Sequence, residues 1–192
     1  MGETEGPTGR RLEGRRALVT GANSGIGRGI ALRLAREGAS VAINFVSHPE
    51  AADAVVQEVS ETGAKGIAVQ ADVSNEQQVD VMFERVVREL GGLDILVNNA
   101  GFETHYDFLE MPVDDWRKVI DVDLTGAFIC AQRAARVMVK SGTGGSIVNI
   151  TSVHQIIPWG GFAHYCAAKA GLDMMSKTIA SELATQKVRS NS

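Results

Sequence analysis

Arg16-Ala17-Leu18-Val19-Thr20-Gly21-Ala22-Asn23-Ser24-Gly25-Ile26-Gly27 decides how this chain folds. Arg16 to Thr20 is a short apolar run of the size expected for a buried strand. A glycine-rich turn follows, then a helical pattern to about Glu37, stopped by Gly38. Strand, glycine-rich turn and helix together form the opening of a dinucleotide-binding unit. Gly21 permits the tight turn. Gly25 and Gly27 remove side chains, so backbone N–H groups and the helix N-terminus can approach a pyrophosphate. The spacing is Gly-x-x-x-Gly-x-Gly, not the more familiar Gly-x-Gly-x-x-Gly.

Working outward, the same alternation repeats. Strands are expected at Ser40–Val46, Gly66–Gln70, Leu93–Val97 and Ser146–Ile150. Helices are expected at 49–62, from an N-cap at Ser74 to about Leu90, over a long stretch from Val113 to about Lys140, and from Tyr165 to about Ala184. Alternating strands and helices predict an α/β fold with a doubly wound parallel sheet, Rossmann-like in plan. The second strand ends in Asn44-Phe45-Val46-Ser47-His48, without the acid that would hold both adenosine ribose hydroxyls and without an Arg for a 2′-phosphate. Arg28 and His48 are candidates to lie near this strand end, and the choice between NAD and NADP stays open. Asp72 can accept from an adenine amino group or simply form a turn. Asn98-Asn99-Ala100-Gly101 puts small and amide residues at a strand's C-terminal end, where a cofactor crevice lies.

Composition narrows the function classes. At 192 residues, 44% hydrophobic and 22% charged, the chain suits one domain with a sizeable core. Residues 1–11 read as a flexible leader, and 12–192 as the domain. A net charge of −4 with mixed signs gives no nucleic-acid footprint. No apolar run reaches membrane-spanning length. Cys130 and Cys166 lie in expected helices and are not spaced for metal; His48, His105, His154 and His164 form no ligand set, so no metal is expected. A reducing, cytoplasmic setting is the default.

Tyr165 and Lys169 stand four residues apart in an Ala-rich run, so on a helix they share one face. A free phenol, with a pKa of about 10, is a poor base at neutral pH. An ammonium beside it favours the phenolate. This pairing suits proton exchange with an alcohol or carbonyl oxygen.

These stretches together resemble the short-chain dehydrogenase/reductase family: Thr20-Gly21-x-x-x-Gly25-Ile26-Gly27, Asp72-Val73, Asn98-Asn99-Ala100-Gly101, Ser152 and Tyr165-x-x-x-Lys169, in order from about Leu12 to the end. The resemblance implies a cofactor site of Thr20, Gly21, Asn23, Ser24, Gly25, Ile26, Gly27, Asp72, Val73, Asn99, Ala100 and Gly101, with Tyr165 and Lys169. It implies that Tyr165 exchanges a proton with the substrate oxygen, Ser152 hydrogen-bonds the same oxygen, and Lys169 binds the nicotinamide ribose. Phe102-Glu103 and the loop Ser152-Val153-His154-Gln155-Ile156-Ile157-Pro158-Trp159, continuing to Phe162-Ala163-His164-Tyr165, are similar to glucose 1-dehydrogenases. Glu103, His154 and Trp159 are therefore candidates for a sugar pocket, beside Ser152 and Tyr165. The rival expectations are a 3-oxoacyl-thioester reductase and a non-catalytic cofactor-binding module.

Two departures stand out. Asp123, in Val122-Asp123-Leu124-Thr125-Gly126, replaces the Asn that in the family supports a water in the proton relay; a carboxylate near Lys169 should alter local charge and the pH profile. The chain also ends at Lys187-Val188-Arg189-Ser190-Asn191-Ser192, which resembles the start of a sixth strand. The family's substrate lid, last strand and its helix are expected to be lacking, leaving an exposed sheet edge. A homo-oligomer is expected, tetrameric in full-length relatives, built on the Val113–Lys140 and Tyr165–Ala184 helices.

Overall fold

The computed structural model describes residues 10–192. Most of the expected leader lies outside the described residues; its last two residues are tied down, Arg10 to the Thr62 carbonyl and Arg11 to Glu37. Six strands and their helices alternate: β1 (Arg16–Val19), α1 (Gly25–Arg36), β2 (Ser40–Phe45), α2 (Pro49–Glu61), β3 (Gly66–Gln70), α3 (Glu76–Leu90), β4 (Ile95–Asn98), α4 (Val113–Ile120), α5 (Ala127–Ser141), β5 (Gly145–Asn149), α6 (Ala163–Leu183) and β6 (Val188–Asn191). The sheet is parallel throughout, in the order β3-β2-β1-β4-β5-β6. This is a Rossmann-type doubly wound sheet, and its order reverses between β1 and β4, where a ligand crevice opens beyond the strand ends.

The central strands are apolar without interruption because both sheet faces are covered. Successive side chains alternate sides. Leu18, Ala42, Leu96 and Ile147 point to one layer with Val79, Met82 and Val86 of α3 and Cys130, Ala134 and Met138 of α5. Ala17, Val19, Val41, Ile43 and Val97 point to the other, with Ala31, Leu32 and Ala35 of α1 and Val55 and Val59 of α2. At the opposite end from the crevice, Asp94 accepts from the Arg16 backbone N–H and guanidinium at 2.9 and 2.7 Å, clamping β1 to β4. Burial works to raise the Asp94 carboxyl, but the Arg16 bonds win and hold it below its ordinary range.

Two expectations are corrected. The cap of α3 is Asn75, whose side chain accepts from the Gln78 N–H; the Ser74 hydroxyl donates to Asp72 instead. The single long helix is interrupted by a wide π-turn at Asp121–Gly126 between α4 and α5. Packing accounts for its position. Gly126 sits against Val73, where a Cβ would come within 2.8 Å of the Val73 side chain. Gly171 of α6 fits as closely over Leu124. The turn buries Asp123 completely. Such inserted turns occur frequently at functional sites.

Candidate active site

A crevice of about 450 Å³ opens at the strand ends, lined by Gly21, Asn23, Ser24, Asn44, Val46, Asp72, Val73, Asn99, Ala100, Gly101 and Phe102 among others. Eight of the expected cofactor residues therefore meet on its wall. Thr20 does not line it; its hydroxyl is turned inward, accepting from the Asn99 and Ala100 N–H groups at 2.9 and 3.0 Å. Gly25, Ile26 and Gly27 also stand off the wall. Gly27 is buried, and a Cβ there would collide with the Gly21 carbonyl and the Asn99 amide, so the turn closes only around glycine. Gly21 and Gly25 adopt φ of 59° and 53°, which glycine takes at little cost.

A dinucleotide fits this wall. Near the helix α1 N-terminus the wall is formed by Gly21, Asn23 and Ser24, none of which carries a large side chain. Asn44 holds the wall's shape and was not singled out by sequence reasoning. Fully buried at the end of β2, its Oδ1 accepts from the Gly21 N–H at 3.2 Å and its Nδ2 donates to the Ala71 carbonyl at 2.9 Å. It ties the glycine turn to the Asp72 loop. Asp72 Oδ1 takes both the Ser74 N–H and hydroxyl, a turn-forming arrangement. Arg28 pairs with Glu58 at 2.6 Å, and the exposed His48 ring lies 3.4 Å from Glu50.

Beyond Gly101 and Phe102 the chemistry changes. Lys169 is buried on α6, and its Nζ stands 3.1 Å from Asp123 Oδ2, an ion-pair distance although the pair lacks linear hydrogen-bond geometry. The same Nζ donates to the Ile150 carbonyl at 3.2 Å and lies 5.4 Å from the Tyr165 ring centre. Asp123 Oδ1 accepts from the Phe102 N–H at 3.0 Å, and only glycine at 101 leaves it room. Burial pushes the Asp123 carboxyl above its ordinary range, with Lys169 and the Phe102 N–H pulling against that shift. Ser152 follows β5 and its Oγ accepts from the His154 N–H at 3.2 Å, which leaves the hydroxyl proton available to another oxygen.

The loop after Ser152 reaches Tyr165 through stacked rings. Trp159 stacks on His154 at 4.4 Å and on Phe162 at 3.8 Å, and meets the Tyr165 ring edge-on at 6.3 Å. His154 and Phe162 occupy the indole's two faces, so Trp159 can offer a substrate its exposed edge. Glu103 is exposed on the neighbouring loop. Val153, Ile156 and Ile157 are exposed on the Ser152 loop.

Among the described residues no group of three or more His, Cys, Asp or Glu side chains is placed to hold a metal, and no helix is long and apolar enough to cross a membrane. Cys130 is buried, its thiol pushed up to about 12, and Cys166 is half-buried; neither is in a disulfide. A groove of about 580 Å³ between α5 and α6, away from this chemistry, is lined by Phe128, Ala135, Val139, Met175, Ile179 and Leu183 among others.

A family model described as short chain dehydrogenase matches residues 15–192. The chain is 42% identical over 180 residues to 3beta-hydroxysteroid dehydrogenase 1 of Eggerthella lenta, covering 94% of this chain and 69% of that protein. It is 44% identical over 175 residues to a 3-oxoacyl-[acyl-carrier-protein] reductase of Synechocystis, covering 91% and 70%. It is 38% identical over 185 residues to glucose 1-dehydrogenase 2 of Bacillus subtilis, covering 94% and 70%.

Proposed function

The chain belongs to the short-chain dehydrogenase/reductase family, and from that premise we propose that it is an NAD- or NADP-dependent oxidoreductase acting on a hydroxyl–carbonyl pair. The observation that carries the reading is a chain of contacts: Lys169 Nζ lies 5.4 Å from the Tyr165 ring centre and 3.1 Å from Asp123, whose other oxygen holds the N–H of Phe102 on the crevice wall. A bound nicotinamide supplies the hydride acceptor or donor. Tyr165 exchanges a proton with the substrate oxygen. Ser152 donates its free O–H to that oxygen and fixes its position. Lys169 supplies positive charge beneath the Tyr165 ring and reaches the nicotinamide ribose, while Asp123 and the Ile150 carbonyl hold its ammonium in place.

Glucose, oxidised at C1, is the proposed substrate, on the strength of the Ser152–Trp159 loop and Glu103. A 3-oxoacyl thioester is the second reading. It is favoured by the exposed Val153, Ile156 and Ile157 and by the covered faces of Trp159, which deny a sugar ring its usual stacking surface. Assay of glucose and of an acetoacetyl thioester, each with NAD and with NADP, decides between them. Glucose turnover supports the first reading and thioester turnover the second. Cofactor binding with turnover of neither supports a non-catalytic module.

The α5–α6 groove is the proposed face for a second copy, in a homo-oligomer. Phe128 is 46% exposed there, facing away from the core that buries Ile129. A dimer or larger mass in sedimentation at micromolar concentration is expected; a clean monomer contradicts it. The two unpaired cysteines suit a reducing, cytoplasmic compartment.

A further inference from the structure

His164, the residue before Tyr165, is fully buried and plays no part in the proton exchange described above. Helix α6 begins at Ala163, and its N-cap residue Phe162 offers no side-chain cap. The Tyr165 N–H, in the first turn, therefore has no partner within the helix. The His164 ring takes it: Tyr165 N–H donates to Nδ1 at 2.8 Å. A nitrogen that accepts cannot carry a proton, so in the neutral ring the proton is on Nε2. Nε2 lies 2.9 Å from Thr104 Oγ1 and donates to it. Thr104 adjoins Glu103 on the loop after β4.

Neighbouring contacts run the same way. Tyr106 N–H donates to the Gly161 carbonyl at 3.0 Å. The His105 ring fills the space where a Gly161 Cβ would stand and meets Phe162 edge-on at 5.2 Å. The loop carrying Glu103 is thus stitched to the segment carrying Trp159 and Tyr165, and of these links the His164 ring is the buried one.

We propose that His164, locked as the Nε2–H tautomer between Thr104 and the Tyr165 amide, is a positioning residue that sets Tyr165 against the Glu103 loop. The inference rests on the oxidoreductase reading for its kinetic consequence, but not for its structural one. Orienting a reactive group this way acts on the transition state, so small displacements are costly.

The test has two arms. In the first, nitrogen-detected NMR of wild-type protein reads the His164 tautomer, and amide exchange reads the Tyr165 N–H. The expected result is an Nε2–H ring and a protected amide, with protection lost in Thr104→Val. An Nδ1–H ring, or an amide unmoved by Thr104→Val, overturns the proposal whether or not any substrate is turned over. In the second arm, kcat for Thr104→Val and for His164→Asn falls by about tenfold while cofactor affinity stays within about twofold, and Thr104→Ser restores kcat. His164→Asn keeps an acceptor for the Tyr165 amide but cannot reach Thr104, so combining it with Thr104→Val should add little. Unchanged kcat in Thr104→Val, or a loss that Thr104→Ser does not restore, overturns the proposal. If wild type turns over neither glucose nor the thioester, the oxidoreductase reading fails and the first arm alone decides the tautomer latch.

Discussion

Lys169→Met is expected to abolish turnover and to cost about 3–5 kcal/mol of stability at about pH 8, with a smaller cost at about pH 5. Lys169 is 5% exposed and Asp123 is fully buried, 3.1 Å away. Removing the ammonium leaves an ionised carboxylate without its counter-charge, held only by the Phe102 N–H. Burial already raises the Asp123 carboxyl, and Lys169 is the largest influence opposing it. The variant's carboxyl therefore rises further. A group whose folded value is raised costs nothing below its unfolded value, about 3.9 for Asp. Its penalty grows as pH climbs through the raised folded value. Denaturant melts of wild type and variant at the two pH values measure it. Equal losses at both would show that Asp123 does not carry the charge assigned to it. The reverse change, Asp123→Asn, keeps an acceptor for Phe102 but removes the negative charge beside Lys169. The site becomes more positive, and the pH–rate profile should move toward lower pH with activity retained. An unchanged profile would remove Asp123 from the account.

Tyr165→Phe is expected to lower kcat by about 10²–10⁴-fold while leaving the melting temperature close to wild type. The asymmetry comes from the structure. Within the described residues the Tyr165 backbone N–H is held by His164, but its hydroxyl has no hydrogen-bond partner. Deleting that oxygen removes no hydrogen bond to a described residue, and the ring's edge-on meeting with Trp159 survives. Steady-state rates and thermal melts of the same preparation separate the two effects. Loss of stability equal to the loss of rate would mean that Tyr165 is an ordinary packing residue.

How much of this the sequence revealed depended on how local each signal was. The strand, glycine turn and helix at 16–36 are consecutive, and the spacing of Tyr165 and Lys169 is one helical turn; both were legible. The proximity of Asp123 to Lys169 was foreseen because a missing amide marked the position. Asn44 was legible only as an absent acid. Its actual work joins three segments distant in sequence, which no local pattern encodes. The same holds for His164, whose Thr104 partner is 60 residues away. The π-turn gave no warning because Asp121–Gly126 continues the helical pattern on either side; its close packing against Val73 and α6 involves residues distant in sequence. Trp159 was expected only as a candidate for a sugar pocket; its stacking on His154 and Phe162 in the folded loop was not legible from the sequence.

Everything proposed for Tyr165, Ser152 and Lys169 requires that the crevice from Gly21 to Gly101 hold a nicotinamide dinucleotide. A thermal melt of the protein alone, with NAD and with NADP tests this most directly. At a ligand concentration of about 100 times Kd, binding to the folded state alone adds about 2.7 kcal/mol, or about 5–10 °C for a domain of this size. A shift of that order with one cofactor or both is the expected result, and the larger shift names the preferred one. A cooperative melt that neither cofactor moves would contradict the account.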